Sequence, residues 1–199
     1  MRIITGIAKG TRLNTLKGLD VRPTADRVKE SLFSILENMV LPAARHPLRD
    51  AIVLDLFAGT GNLGLEALSR GAAAALFIDN SPASLAVIGD NIRQAGLGGL
   101  AEVQRGDSIN WLGRLSRSGR RFTLVFVDPP YDSGLINIVL QKIDDGNIVE
   151  AGGLIVVEHS KHEQINTQWQ NLQQVRTERY GATLVTILSR IIHDTTLVI

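Results

Sequence analysis

From Ala51 to Glu158, apolar runs of about five residues alternate with segments of helical period. Ile52–Leu56, Ala74–Ile78, Ala101–Gln104, Phe122–Val127 and Gly152–Glu158 read as buried strands. Leu63–Ser69, Pro82 to about Gln94, Ser108–Arg117 and Gly134–Ile143 read as helices between and after them. Gly71 and Gly96 mark helix ends, and Ser81-Pro82 is a cap followed by a proline in the first turn. Upstream, Val28, Leu32, Ile35, Leu36 and Met39 form one apolar helix face, with Thr24 as its N-cap and Asp26 in its first turn. Residues 40–50, with Pro42 and Pro47, read as a linker. Residues 2–22, with short β-like pieces at Arg2-Ile3-Ile4 and Thr11-Arg12-Leu13, read as a small β-hairpin arm. Beyond Glu158 comes a polar segment with a helical option to about Asn171. Gln173–Tyr180 and Thr183–Leu188 around Gly181 then form a hairpin, and residues 191–199 have no assigned place.

Five strand–helix alternations and a terminal hairpin predict an α/β fold: a mostly parallel seven-stranded sheet with an antiparallel edge and helices on both faces. The expected division is an arm at 1–22 and one domain at 23–199. At 199 residues and 44% hydrophobic content the chain can bury one sizeable core. No run approaches the roughly 18 apolar residues of a membrane span. The amino terminus lacks an apolar signal region, and there are no cysteines for disulfides or thiolate metal sites. A cytoplasmic protein with no membrane partner is the default, although the absence of cysteines does not itself identify a compartment; no metal and a monomer are expected.

The net charge of +1 conceals an asymmetry. Residues 1–30 carry seven bases and three acids, a net of +4, and the remainder carries fourteen bases and seventeen acids, a net of −3. A basic arm on a mildly acidic body points to a local nucleic-acid contact, with Lys9, Arg12, Arg22 and Arg27 as the candidate phosphate-binding residues. The second basic cluster, Arg114, Arg117, Arg120 and Arg121, precedes the fourth strand, at its amino end, and reads as a solvated loop.

Candidate chemistry gathers at the carboxyl ends of the strands, where open α/β sheets bind ligands. Asp128-Pro129-Pro130-Tyr131 ends the fourth strand in a stiff extended corner, because the prolines supply no N–H and push Asp128 out of the helical region. Asp55-Leu-Phe-Ala-Gly59-Thr-Gly61-Asn-Leu-Gly64 ends the first strand in a glycine turn that matches the dinucleotide fingerprint. Asp55 weighs against that match, since a pyrophosphate on the turn would meet an uncompensated carboxylate. A cofactor bearing a sulfonium and an ammonium suits it better, and S-adenosylmethionine carries both. In this reading Asp55, Phe57, Ala58, Gly59, Thr60 and Gly61 face the amino-acid part of the cofactor, and Thr24 borders the pocket, with Arg27 beside it as the alternative to a phosphate role. Asp79 and Asn80 lie at the ribose, and Asp107 and Ser108 at the adenine. Asp128 faces the transferable methyl. Each acid alone is as readily a helix N-cap, but four strand ends share the pattern.

Asp-Pro-Pro-Tyr resembles the motif of S-adenosylmethionine-dependent methyltransferases that act on exocyclic amines of nucleobases. Three longer stretches, Arg2-Ile-Ile-Thr-Gly-x-x-Lys-Gly-x-x-Leu13, Arg22-Pro-Thr-Ala-Asp-Arg-Val-Lys-Glu-Ser-Leu-Phe33 and Leu54 through Gly71, together with Tyr180-Gly-x-Thr183, are similar to the RsmD-type family of bacterial small-subunit (16S) rRNA guanine-N2-methyltransferases. The family usually has Glu where this chain has Asp79, and residues after Leu188 match nothing in it. The resemblance implies a Rossmann-like class I methyltransferase domain whose partner is 16S rRNA, the small ribosomal subunit or an assembly intermediate of it. It also implies catalytic roles for three residues of the corner. Asp128 and the Pro129 carbonyl would accept the N–H bonds of the target amine, and Tyr131 would stack on the extruded base. The alternatives are an N6-adenine methyltransferase using the same corner, a dinucleotide-dependent oxidoreductase, and a non-catalytic ribosome-assembly factor. His159, His162 and Glu163 have metal-compatible spacing but read as an exposed loop, Trp111 and Trp169 as packing residues, and Glu66 as helix surface or an arm contact.

Overall fold

The computed structural model describes residues 1–16, 23–42 and 45–192. Seven strands form one sheet: β1 (Ile52–Leu56), β2 (Ala74–Asp79), β3 (Ala101–Arg105), β4 (Phe122–Val127), β5 (Val149–Ser160), β6 (Leu172–Tyr180) and β7 (Thr183–Arg190), in the order β3-β2-β1-β4-β5-β7-β6. The first five are mutually parallel, and β7 runs against both β5 and β6. The hairpin's second strand therefore inserts between β5 and β6, so the antiparallel strand is internal and β6 is the edge.

Helices α1 (Pro23–Asn38), α2 (Asn62–Ser69), α3 (Pro82–Ala95), α4 (Ser108–Ser118) and α5 (Leu135–Gly146) cover the sheet. Alternating side chains divide it into two apolar layers. Val53, Phe77, Leu124, Phe126 and Val156 join α1, α2, α3 and the amino-terminal segment, whereas Leu54, Ile78, Val125, Val127 and Val157 join α4 and α5. Phe33 of α1 packs on Phe126 with ring centroids 5.8 Å apart.

Three expectations change. The segment after β5 does not take its helical option, and residues 161–171 are irregular. The backbone of Gln170 and Asn171 donates to the buried Asp144 carboxylate at 2.8 and 2.7 Å instead of closing helical turns. Helix α1 begins at Pro23, which suits the first turn, so Thr24 lies inside the helix instead of capping it. Strand β5 starts at Val149, three residues before the expected Gly152, with a register shift against β4 between Phe122 and Leu124. The unassigned tail lies outside the described residues from 193 onward.

The amino-terminal segment folds back on itself through one antiparallel bridge, Arg2 to Arg12, with bonds from Ile3 N to Thr11 O at 2.9 Å and Leu13 N to Met1 O at 3.1 Å. Ile3, Ala8 and Leu13 are buried in the same apolar layer as α1. Its anchor is polar. Glu66, fully buried on α2, accepts from Ile4 N at 2.8 Å and Thr5 N at 3.1 Å, pairs with Arg70 Nε at 2.7 Å, and lies 3.3 Å from Lys29 Nζ. The buried Lys29 also donates to Arg2 O and Asn62 Oδ1, both at 2.6 Å. Burial holds the Lys29 ammonium below its usual pKa while the Glu66 charge works against that shift. Gly6 is forced by the same contact, because a Cβ there would lie 1.7 Å from the Ser69 carbonyl oxygen.

Removing one partner of a buried, hydrogen-bonded ion group leaves the rest uncompensated. Glu66→Ala is expected to lower unfolding free energy by about 3–5 kcal/mol in urea titration. Glu102→Ala, which breaks the exposed pair with Arg120, should cost under about 1 kcal/mol.

Candidate active site

The strand order reverses between β1 and β4, which opens a crevice at their carboxyl ends. The register pairs Leu56 with Ile78 and Val127, and Val127 with Val157. The residues that follow, Asp79, Phe57, Asp128 and Glu158, therefore stand in a row at the carboxyl edge of the parallel strands, with β5 running on to Ser160. Asp55, Asp79 and Glu158 project to the face that carries α1, α2, α3 and the arm, by the same alternation that sends Val53, Phe77 and Val156 there. Asp128 continues the parity of Leu124 and Phe126 onto that face.

The glycine turn is built around two of these acids. Phe57 takes a left-handed φ of 60° and bends the chain out of β1. Asp79 Oδ2 then accepts from Gly59 N at 2.8 Å while its Oδ1 accepts from Ser81 N at 2.8 Å. Asp55 Oδ2 accepts from Gly64 N at 2.9 Å. Any side chain at 64 would collide, since a Cβ would meet the Phe77 ring at 2.3 Å and Asp55 Oδ2 at 3.0 Å. Thr60 offers its carbonyl to the buried Asn91 at 2.9 Å, and Asn91 also receives Asn14 N at 2.7 Å. The turn and the arm thus share a buried polar bridge.

Burial pushes the Asp55 carboxyl up to about 7, with the Gly64 bond opposing and the Asp79 charge adding to the shift. Asp128 is raised well above the usual carboxylate range by burial, then by Glu158 and Asp55. Its carboxylate accepts no hydrogen bond from any described residue. Pro129 is buried behind it. The Tyr131 phenol donates to Glu158 Oε1 at 2.8 Å and lies 3.1 Å from Thr183 Oγ1, and the residue is 46% exposed. The crevice is thus a set of desolvated acids with no cation among the described residues paired to Asp55, Asp79, Asp128 or Glu158. Such a site favours a positively charged occupant.

Of the sequence candidates, Asp55, Phe57, Ala58, Gly59, Thr60, Gly61, Asp79 and Asp128 converge on this crevice. Asp107 is exposed and caps α4 by accepting from Asn110 N at 2.8 Å, and Ser108 is buried beside it. Asn80 is exposed at the end of β2. Lys9, Arg12 and Arg27 are exposed and pair with no described acid; Arg22 lies outside the described residues. In the second basic cluster, Arg120 pairs with Glu102 at 2.7 Å and Arg114 lies over the Trp111 ring. His159 is not in an exposed loop. It is buried on β5, its Nε2 2.9 Å from Thr186 Oγ1, and the described residues contain no metal-ligand cluster. Glu158, Asn91 and Lys29 were missed as site residues. Glu158 carried a readable signal, an acid directly after the apolar run 154–157.

The family model described as "Conserved hypothetical protein 95" matches residues 1–189. The chain belongs to this family, the RsmD family. YlbH of Bacillus subtilis (strain 168) is 35% identical over 190 residues, 96% of this chain and 99% of that one. The ribosomal RNA small subunit methyltransferase D of Escherichia coli (strain K12) is 35% identical over 162 residues, 79% of this chain and 74% of that one. The solved structure of yhhF from Escherichia coli superposes with a TM-score of 0.82 at 33% identity, over 97% of this chain and 99% of that one. The RsmD resemblance and the α/β fold are thereby shown.

The Asp55 shift fixes a sign for stability. Between its ordinary value of 3.8 and about 7, the folded chain holds a proton that the unfolded chain releases. Stability is therefore lost as pH rises through this window, by roughly tenfold in the folding equilibrium per pH unit for one such group. Denaturant midpoints measured from pH 4 to 8 should show this fall, and Asp55→Asn should flatten it.

Proposed function

We propose that this RsmD-family protein methylates the exocyclic N2 amine of a guanine in small-subunit ribosomal RNA, with S-adenosylmethionine as methyl donor. The observation that carries this reading is the Asp128 carboxylate, desolvated, without a hydrogen-bonding partner among the described residues, and set against the glycine turn at the point where the sheet reverses. The relative from Escherichia coli is named a ribosomal RNA small subunit methyltransferase, which supports the RNA class of this reading.

The residues present fit the cofactor. Asp55, whose burial costs most when it is charged and alone, would receive the cationic methionine portion, and the Gly59–Gly61 turn would lie against it. Asp79 retains lone pairs beyond its two backbone bonds and would accept the ribose hydroxyls. S-adenosylmethionine supplies a methyl group on a positively charged sulfur.

A guanine N2 lone pair is delocalised into the ring and is a weak nucleophile. Asp128 and the Pro129 carbonyl would each accept one N–H of that amine and hold the nitrogen in line with the methyl. Positive charge develops on the nitrogen during transfer, so a fixed carboxylate stabilises the transition state more than the ground state. Tyr131 would stack on the base, and Lys9 and Arg12 on the arm would hold phosphates.

Mass spectrometry of 16S rRNA from cells lacking the gene tests the reading, with one missing N2-methylguanosine expected. A missing N6-methyladenosine, or no missing methyl group, would overturn it. Asp128→Asn should lower turnover roughly ten- to a hundredfold, matching the loss of a charge-assisted bond, with cofactor affinity nearly unchanged in calorimetry. Neutralising Lys9 and Arg12 should weaken RNA binding and reduce the salt slope by about 0.7 for each phosphate that is no longer neutralised.

A further inference from the structure

Resting on the methyl-transfer reading above, we propose that Glu158 is a positioning residue of this site, holding the Tyr131 ring at the corner and controlling through its charge when Asp128 is an anionic acceptor. Three segments converge to make the arrangement. The chain turns sharply after Tyr131, at Asp132, which has a φ of 55°. That turn brings the Tyr131 hydroxyl to Glu158 on β5 and to Thr183 at the start of β7. A ring that merely covered the sheet edge would leave its phenol in water. Here the hydroxyl is bonded to a carboxylate while the residue stays half-exposed.

The same carboxylate neighbours Asp128, because Val127 pairs with Val157, Asp128 and Glu158 are the residues that follow them, and the Glu158 charge acts on Asp128. The titratable groups facing this spot are Asp128, Glu158, Asp55 and Tyr131. None of them pairs with a cation among the described residues, so ionising one acid raises the cost of ionising the next. Burial lifts both Asp128 and Glu158, and Glu158 adds to the lift on Asp128.

The proton balance gives the pair a task. As the bond from nitrogen to the methyl carbon forms, the bond from that carbon to sulfur breaks, and its electron pair stays on a now neutral sulfur. The nitrogen, positively charged, loses one proton to the Asp128 carboxylate, which later releases it to water. Glu158 remains the acceptor of the Tyr131 hydroxyl throughout, so the ring keeps its place while Asp128 changes charge.

Glu158→Gln separates the two parts of the role, because its carbonyl still accepts from Tyr131 but carries no charge. The acid limb of the pH profile of kcat should then move to lower pH by about one unit, a tenfold gain in tolerance to protons. Cofactor affinity should stay at the wild-type value. Glu158→Ala and Tyr131→Phe should each lower kcat, and the double variant should be no worse than the poorer single one. An unshifted acid limb, additive effects in the double variant, or a collapse of cofactor binding in Glu158→Gln would each overturn the proposal. A wild-type protein that methylates no rRNA would instead remove the methyl-transfer reading. An active wild type with an unshifted variant would remove the role of Glu158 alone.

Discussion

A fully buried carboxylate, Glu66, holds the molecule's two working parts together. Its oxygens are shared by two backbone amides of the arm, the Arg70 guanidinium and the Lys29 ammonium. Lys29 in turn reaches Asn62, the first residue of α2 after the glycine turn. Asn91 makes a second link, between Asn14 and Thr60. Moving the arm would therefore expose or strand several charged or polar groups, each expensive to leave unpaired. The basic side chains that would meet RNA are thus referenced to the loop that would hold the cofactor.

The crevice works in the opposite sense. At Glu66 every charge is answered, whereas Asp55, Asp128 and Glu158 lie close together with no cation among the described residues paired to them. Desolvation and mutual repulsion favour protonated acids until a positive group arrives, so the fold carries an electrostatic strain that a cationic ligand relieves. The surrounding structure must over-determine these positions for that strain to persist. The Gly64 contact with Asp55, the hydrogen bonds of Asp79 to Gly59 and Ser81, and the prolines after Asp128 all do so.

Much of this was legible in the chain. Runs bounded by glycine or by Ser-Pro marked the parallel strands and their helices, because local turn chemistry and burial agree there. The strand-end acids were legible for the same reason, since each closes an apolar run. What escaped depended on distant partners. Glu66 looked like helix surface, though it lies between Leu65 and Ala67 in a helix apolar on nearly every side, and that pattern marks a buried charge. Asn91 and Lys29 gave no local signal, because their roles depend on an arm remote in sequence, as the Asn14–Asn91 separation of 77 shows. The segment after β5 misled through polar, helix-compatible residues whose backbone is claimed by the buried Asp144.

Side-chain parity sets the arm and the acids on one side of the sheet, as the proposed reaction requires. Asp55, Asp79 and Glu158 alternate with Leu54, Ile78 and Val157, so the strands that bury α4 and α5 on one face present acids at the end of the other. The arm packs on that second face through Ile3 and Leu13, beside α1, and the Tyr180 hydroxyl at the end of β6 meets Ser31 of α1 at 2.6 Å. Basic side chains and acidic crevice are thereby placed on the same side of the sheet. A one-residue slip in any of these strands would carry its acid into the apolar layer beneath α4 and α5, where nothing could answer the charge. The register of the sheet and the chemistry at its end are therefore one constraint.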